Sequence, residues 1–181
     1  MKRLCVFCGS AKGSNQENSN RYIEQAIKVG ELIAGQKIGL VYGGATIGVM
    51  GALANAVLEK GGDVIGVIPK SLIEHEIAHY KVTKLHIVED MHERKRMMYD
   101  FSDAFLVLPG GMGTLDEMFE IITWSQLKLH SKPIYILNEF GFYDSLLEYI
   151  RHSHNEGFIK KEHLGLLQEL KKAEDVLSIR F

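Results

Sequence analysis

The sequence predicts an α/β fold in which a parallel sheet is covered by helices on both faces. Three observations predict it. Short apolar runs such as Ala104 to Leu108 show no polar alternation, as expected of strands buried on both sides. These runs alternate with stretches of helical periodicity along the whole chain, without repeats or low-complexity linkers. Glycine-rich turns follow three of the strands, at the edge where open α/β sheets bind ligands. At 181 residues the chain is long enough for one well-buried domain and short for two, so a single domain over residues 1–181 is expected.

The first strand is Arg3 to Phe7, and it turns at Cys8-Gly-Ser10. Asn15 to Ala34 has helical spacing, with Tyr22, Ile23, Ala26, Ile27, Gly30 and Ile33 on one side. Lys37 to Tyr42 reads as the second strand, and Gly43-Gly-Ala-Thr-Ile-Gly48 leads into a helix ending near Lys60. Val64 to Ile68 is a third strand, stopped by Pro69 because proline has no ladder N–H. Ser71 to His79 fits either a short helix or a loop. Lys84 to Val88 is the fourth strand, Met91 to Phe101 a helix, and Asp103 to Leu108 the fifth strand. A helix from Thr114 to about Leu129 and a strand from Pro133 to Leu137 follow. Tyr143 to His154 and Lys161 to Ala173 read as amphipathic helices, before a short closing segment.

The loop Pro109-Gly-Gly-Met-Gly-Thr114 carries the strongest chemical signal. Its glycines let bare amides approach a ligand, and Thr114 has the hydroxyl of a helix N-cap. Amides at a helix start, together with the helix dipole, attract an anion. Glu117 falls within the first turn, so an acid lies beside that anion pocket. The loop lacks the Lys-Ser/Thr of a P-loop and the third glycine of a dinucleotide fingerprint, which removes ATP hydrolysis and dinucleotide binding from consideration.

Composition narrows the class. The chain is 46% apolar and 24% charged, as in ordinary globular proteins, and its net charge of −2 argues against nucleic-acid or anionic-membrane partners. No apolar run is of spanning length and the N-terminus reads as a strand, so the cytoplasm is the expected compartment. Cys5 and Cys8 sit three apart on a strand, facing opposite sides, and are expected to stay unpaired.

Two further stretches bear on chemistry. Asp90-Met-His-Glu-Arg-Lys-Arg96 opens a helix after a strand, so Arg94 and Lys95 come within a turn of the ligand edge. His75-Glu-Ile-Ala-His79 matches the zinc-protease pattern H-E-x-x-H, yet it follows a strand and a proline and has no evident third ligand. No metal is therefore expected, although Glu76 can still face the cleft.

Taken in order, Cys5-Val-Phe-Cys-Gly-Ser10, Val41-Tyr-Gly-Gly44 with Gly48-Val-Met-Gly51, Met91-His-Glu-Arg-Lys95 and Pro109-Gly-Gly-Met-Gly-Thr-Leu-Asp-Glu117 resemble the LONELY GUY family. The resemblance covers nearly the whole chain, including Ile122-Thr-Trp124, and the Pro-Gly-Gly-x-Gly-Thr-x-x-Glu match is complete. Members of that family, formerly labelled possible lysine decarboxylases, release cytokinin bases from their nucleotide precursors. The resemblance implies a Rossmann-like, doubly wound fold, a homodimer with its site near the interface, and no cofactor. It implies Arg94 and Glu117 as the essential pair. Glu76, Lys95, the stretch Gly110, Gly111, Met112, Gly113, Thr114, Leu115 and Asp116, and Thr123 would bind the nucleotide. Gly9, Ser10, Gly43 and Gly44 complete the candidate list through their turns at the same edge. His75 and His79 depart from the family pattern, which leaves the preferred base open.

The reaction so implied is hydrolysis of the N-glycosidic bond of a nucleoside 5′-monophosphate, yielding base and ribose 5-phosphate. Three other classes compete: a non-catalytic nucleotide or molybdenum-cofactor carrier, a zinc hydrolase on His75 and His79, and a pyridoxal-dependent decarboxylase. The last lacks any lysine in a recognisable Schiff-base setting.

Overall fold

The computed structural model describes residues 1–13 and 16–181, with the side chains of residues 16–19, 74 and 76 outside that description. Seven strands form one sheet: β1 (Arg3–Phe7), β2 (Gly39–Tyr42), β3 (Val64–Pro69), β4 (Lys84–Val88), β5 (Ala104–Val107), β6 (Ile134–Leu137) and β7 (Leu167–Leu170). Their order is β4-β3-β2-β1-β5-β6-β7, and every neighbouring pair is parallel. The helices are α1 (Gln16–Gly35), α2 (Gly48–Glu59), α3 (Ile73–Glu76), α4 (Met91–Asp100), α5 (Met112–Gln126) and α6 (Asp144–Asn155). The expected doubly wound, Rossmann-like sheet is the one observed.

Alternation along β1 distributes the core into two layers. Leu4 and Val6 point into the layer under α1 and α2, while Cys5 and Phe7 point into the layer under α4, α5 and α6. Strands buried on both faces carry continuous apolar sequence, and β2, β5 and β6 are buried along their whole length. Cys5 and Cys8 are buried in opposite layers and form no disulfide with each other, as their spacing requires. Gln25, not Ile27, turns inward on α1, and the Gln25 amide donates to Glu139 at 3.0 Å.

Several boundaries differ from the sequence expectation. The predicted start of α1 at Asn15 lies outside the described residues. Lys37 adopts a left-handed φ of 57°, so β2 opens two residues later than its apolar run suggests. Pro69 is the last residue of β3 and pairs with Val88, because a strand terminus tolerates the missing N–H. The largest correction is at the C-terminus. Instead of one helix from Lys161, the chain makes a 3₁₀ turn at Lys161–Leu166, strand β7, and a second 3₁₀ turn at Ala173–Ser178. Gly165 weakens a helix there, and the open edge of β6 supplies four partners for Leu167 to Leu170.

The end of β5 is held from α6. The Tyr143 hydroxyl donates to the Leu108 carbonyl at 2.7 Å, and the Tyr143 amide donates to Asn138 Oδ1 at 2.8 Å. Tyr143→Phe should destabilise the fold by about 1–2 kcal/mol, since a buried carbonyl loses its donor. A urea-denaturation midpoint unchanged from the parent protein would contradict this.

Candidate active site

The strand order reverses between β1 and β5, and ligands of doubly wound sheets bind beyond that crevice. Here the Gly9 amide donates to the Pro109 carbonyl at 3.0 Å, stitching the two turns together. Beside this seam lies a cavity of about 290 Å³, lined by residues that include Gly9, Ser10, Arg94, Gly111, Thr114 and Glu117. A larger, more open depression of about 500 Å³ sits where β6 and β7 begin, lined by residues such as Ser125, Lys132 and Gln168. It is remote from the seam and from Arg94 and Glu117, so the smaller cavity is the candidate site.

Arg94 reaches the cavity from the first turn of α4, which Asp90 caps by accepting from the Glu93 amide at 2.9 Å. Only 3% of Arg94 is exposed. Its Nε donates to the Val67 carbonyl at 3.1 Å, Nη2 to the Gly43 carbonyl at 3.0 Å, and Nη1 approaches Met91 Sδ at 3.8 Å. A buried guanidinium is tolerable because its donors are satisfied this way. Gly43 is required at this contact, because a Cβ there would lie 2.0 Å from Arg94 Nη2.

Glu117 faces the same cavity from α5 and is 4% exposed. The helix begins earlier than expected. Gly111, in an extended conformation, is the N-cap and contributes no side chain, while Thr114 lies inside the first turn. Thr114 is therefore not the cap; it is buried at the cavity wall. Gly110 lets this turn close, since a Cβ on it would meet Thr114 Oγ1 at 2.1 Å and the Gly9 amide at 2.9 Å. Cys5 lies behind the site. Burial raises its thiol pKa, the Glu117 carboxylate raises it further, and Arg94 opposes this. That thiol is protonated and takes no part as a nucleophile.

The remaining candidate residues divide. Gly9, Ser10, Gly111, Gly113, Thr114, Arg94 and Glu117 line one cavity, with Gly43 behind Arg94 and Gly110 behind Thr114. Gly44 holds a left-handed φ of 82° and its carbonyl accepts from the His79 amide at 2.9 Å. Met112 projects outward, 86% exposed, and Leu115 packs into the layer beneath α5. Lys95 and Asp116 form an ion pair at 3.1 Å. Thr123 lies in a groove with Phe119, Ile150 and Ile159, two and a half turns beyond the loop. Glu76 ends α3, and its side chain is outside the described residues. Cys8, Ala11, Met50 and Met91 also line the cavity, though none was a sequence candidate. Their places at strand ends and in the Gly48-Val-Met-Gly51 and Met91-His-Glu-Arg-Lys95 motifs were the available signal.

The H-E-x-x-H stretch does not present two imidazoles from one helix. α3 ends at Glu76, Ile77 turns left-handed at φ 51°, and Ala78 bridges to Ala45. His75 is exposed, whereas His79 is buried and its Nε2 meets Asn55 Oδ1 at 3.0 Å. Burial lowers the His79 pKa, which keeps the imidazole neutral. His79 thus ties the segment after α3 to α2 through its side chain and to the Gly43–Gly44 turn through its amide. Among the described residues, no group of three or more His, Cys, Asp or Glu is arranged to hold a metal ion.

Comparison with known proteins adds three findings. Residues 50–179 match the family model described as possible lysine decarboxylase. The chain is 50% identical over 159 residues to the cytokinin riboside 5′-monophosphate phosphoribohydrolase of Rhodococcoides fascians, covering 87% of this chain and 78% of that one. It is 45% identical to the enzyme of that name, LOG1, from Arabidopsis thaliana, covering 97% of this chain and 81% of that one. Among solved structures, the molybdenum cofactor binding protein of Rippkaea orientalis superposes with a TM-score of 0.72 at 19% identity, covering 98% and 93% of the two chains, a likeness of fold alone.

Proposed function

Since the chain belongs to the LONELY GUY family of cytokinin riboside 5′-monophosphate phosphoribohydrolases, we propose that it hydrolyses the N-glycosidic bond of adenosine 5′-monophosphates, N6-substituted ones included. The observation that carries this reading is the meeting of Arg94 and Glu117 on one cavity beside the Pro109–Thr114 turn. The first-turn amides of α5 and its dipole hold the phosphate, with no N-cap side chain across them. Ribose then lies against Glu117. As the C1′–N bond breaks, positive charge develops on the sugar, and the buried carboxylate stabilises it. Glu117 also orients the water whose oxygen bonds to C1′, and it takes that water's proton. The departing base keeps the bonding electrons and takes up a proton, balanced by the one that Glu117 removes from the water and then releases. Arg94, fixed to the Gly43 and Val67 carbonyls, sits where it assists the ribose or the leaving base.

The partner in this reading is a second copy of the chain, with the site near the interface. Support comes from the exposed apolar side chains of Met112 and Phe119 on α5, Tyr149 on α6 and Phe158 just after it. Thr123 lies about 14 Å along α5 from Thr114, nine residues at the helical rise, which suits contact with a nucleotide bound to the other protomer. Among the described residues, no helix is long and apolar enough to cross a membrane.

A panel of nucleosides and their mono-, di- and triphosphates, scored by chromatography of free base, tests the function. Monophosphates alone are expected to turn over, as the names of the relatives specify a 5′-monophosphate. Equal release from nucleosides would remove the role of the anion pocket. Tight nucleotide binding without any base release would favour a carrier.

A further inference from the structure

We propose that Lys95, Asp116 and Glu120 form a positioning device that sets the aim of Arg94 and Glu117, an inference that rests on the hydrolase reading above. The Lys95 ammonium lies 3.1 Å from Asp116 Oδ2 and 3.1 Å from Glu120 Oε1. It therefore joins α4 to α5. Lys95 directly follows Arg94, and Asp116 directly precedes Glu117, so the tie connects the positions flanking the two active groups. Successive helical residues diverge by about 100° around the axis, while residues 116 and 120 share a face. With Arg94 and Glu117 turned into the cavity, Lys95 is turned onto the neighbouring helix. The tie thereby fixes the rotation of α4 relative to α5.

Two observations separate this role from a direct phosphate contact. Lys95 does not line the cavity, although Arg94 beside it does. Its side chain is 11% exposed, more withdrawn than the 57% of Asp116 and the 23% of Glu120. Burial alone lowers the pKa of the ammonium, but hydrogen bonds to Glu120 and Asp116 outweigh it and the net shift is upward. The charge is held by α5. One turn further on, Tyr99 of α4 packs edge-on against Trp124 of α5 at 5.3 Å, extending the same seam.

The test is steady-state kinetics on the full chain with the best monophosphate of the panel. Variants are Lys95→Met, Lys95→Arg, Asp116→Asn with Glu120→Gln, and all three neutral substitutions combined. A positioning role predicts that Lys95→Met lowers kcat by about 10- to 100-fold with little change in KM, since misalignment of reacting groups costs that much. The carboxylate double variant should lose a similar factor, the combination should be no worse than either, and Lys95→Arg should restore most of the rate. A tenfold or larger rise in KM at unchanged kcat, or losses that multiply in the combination, would overturn it in favour of substrate contact. If Lys95→Met fails to fold by circular dichroism, the carboxylate variants and Lys95→Arg decide on the same criteria. Parent protein that releases no base brings down the hydrolase reading and this inference together, whereas an active parent with unaffected variants brings down this inference alone.

Discussion

Glu117→Gln should reduce base release by about 10³-fold, the scale on which a buried catalytic charge and a general base contribute. The amide keeps the volume of the carboxyl at a position 4% exposed, so the seating of α5, whose Met118 and Ile121 are buried in the core, should survive. On the proposed reading, what vanishes is the negative charge facing C1′ and the acceptor for the proton of water. The loss should appear in kcat, with nucleotide affinity largely kept, because the amides of the 110–114 turn remain. The decisive measurement is single-turnover release of free base beside a circular-dichroism spectrum. A folded variant within about threefold of the parent rate would remove Glu117 from the chemistry.

Arg94→Ala should cost at least about 100-fold in kcat/KM, and it should also lower stability, because the Gly43 and Val67 carbonyls lose their donors. Gly43→Ala tests the seat of the guanidinium with the arginine itself kept. It retains the arginine but places a Cβ 2.0 Å from Nη2, so the guanidinium must leave its seat. Turnover should fall by about 100-fold as the charge is displaced from the reacting centre. Turnover of Gly43→Ala equal to the parent's would show that the seat of the guanidinium is irrelevant to turnover. Both variants are read with the same chromatographic assay and a thermal melt.

The sequence made the sheet legible because five of its strands are apolar runs closed by glycine, proline or polar turns, and β4, Lys84-Leu-His-Ile-Val88, alternates polar and apolar residues. β7 escaped because Leu167-Gln-Glu-Leu170 and the lysines after it read equally well as one helical face. Only the open edge of β6 decides between them, and that is a long-range pairing. The same holds within the site. Arg94 and Glu117 announced themselves through motif and position, but the acceptors that fix Arg94 are main-chain carbonyls just past β2 and within β3, for which sequence has no symbol. The helix start moved for a related reason: Thr114 had the chemistry of a cap, yet backbone geometry at Gly111 took that place and left the hydroxyl inside the first turn. His75 and His79 illustrate the converse, a motif complete in letters and dissolved by a left-handed Ile77 between them.

The pairing of Leu4 with Ala104 spans 100 residues, which bears on how the chain assembles. During synthesis β1 can join β2 soon after that strand emerges, but its other margin waits for β5, 100 residues further on. For that interval Leu4 to Phe7 is a naked apolar edge, the kind that recruits stray strands. Crowded or overproducing cells would therefore meet their aggregation problem at β1, and a chaperone that shields those few residues would be guarding the seam on which the cavity later forms.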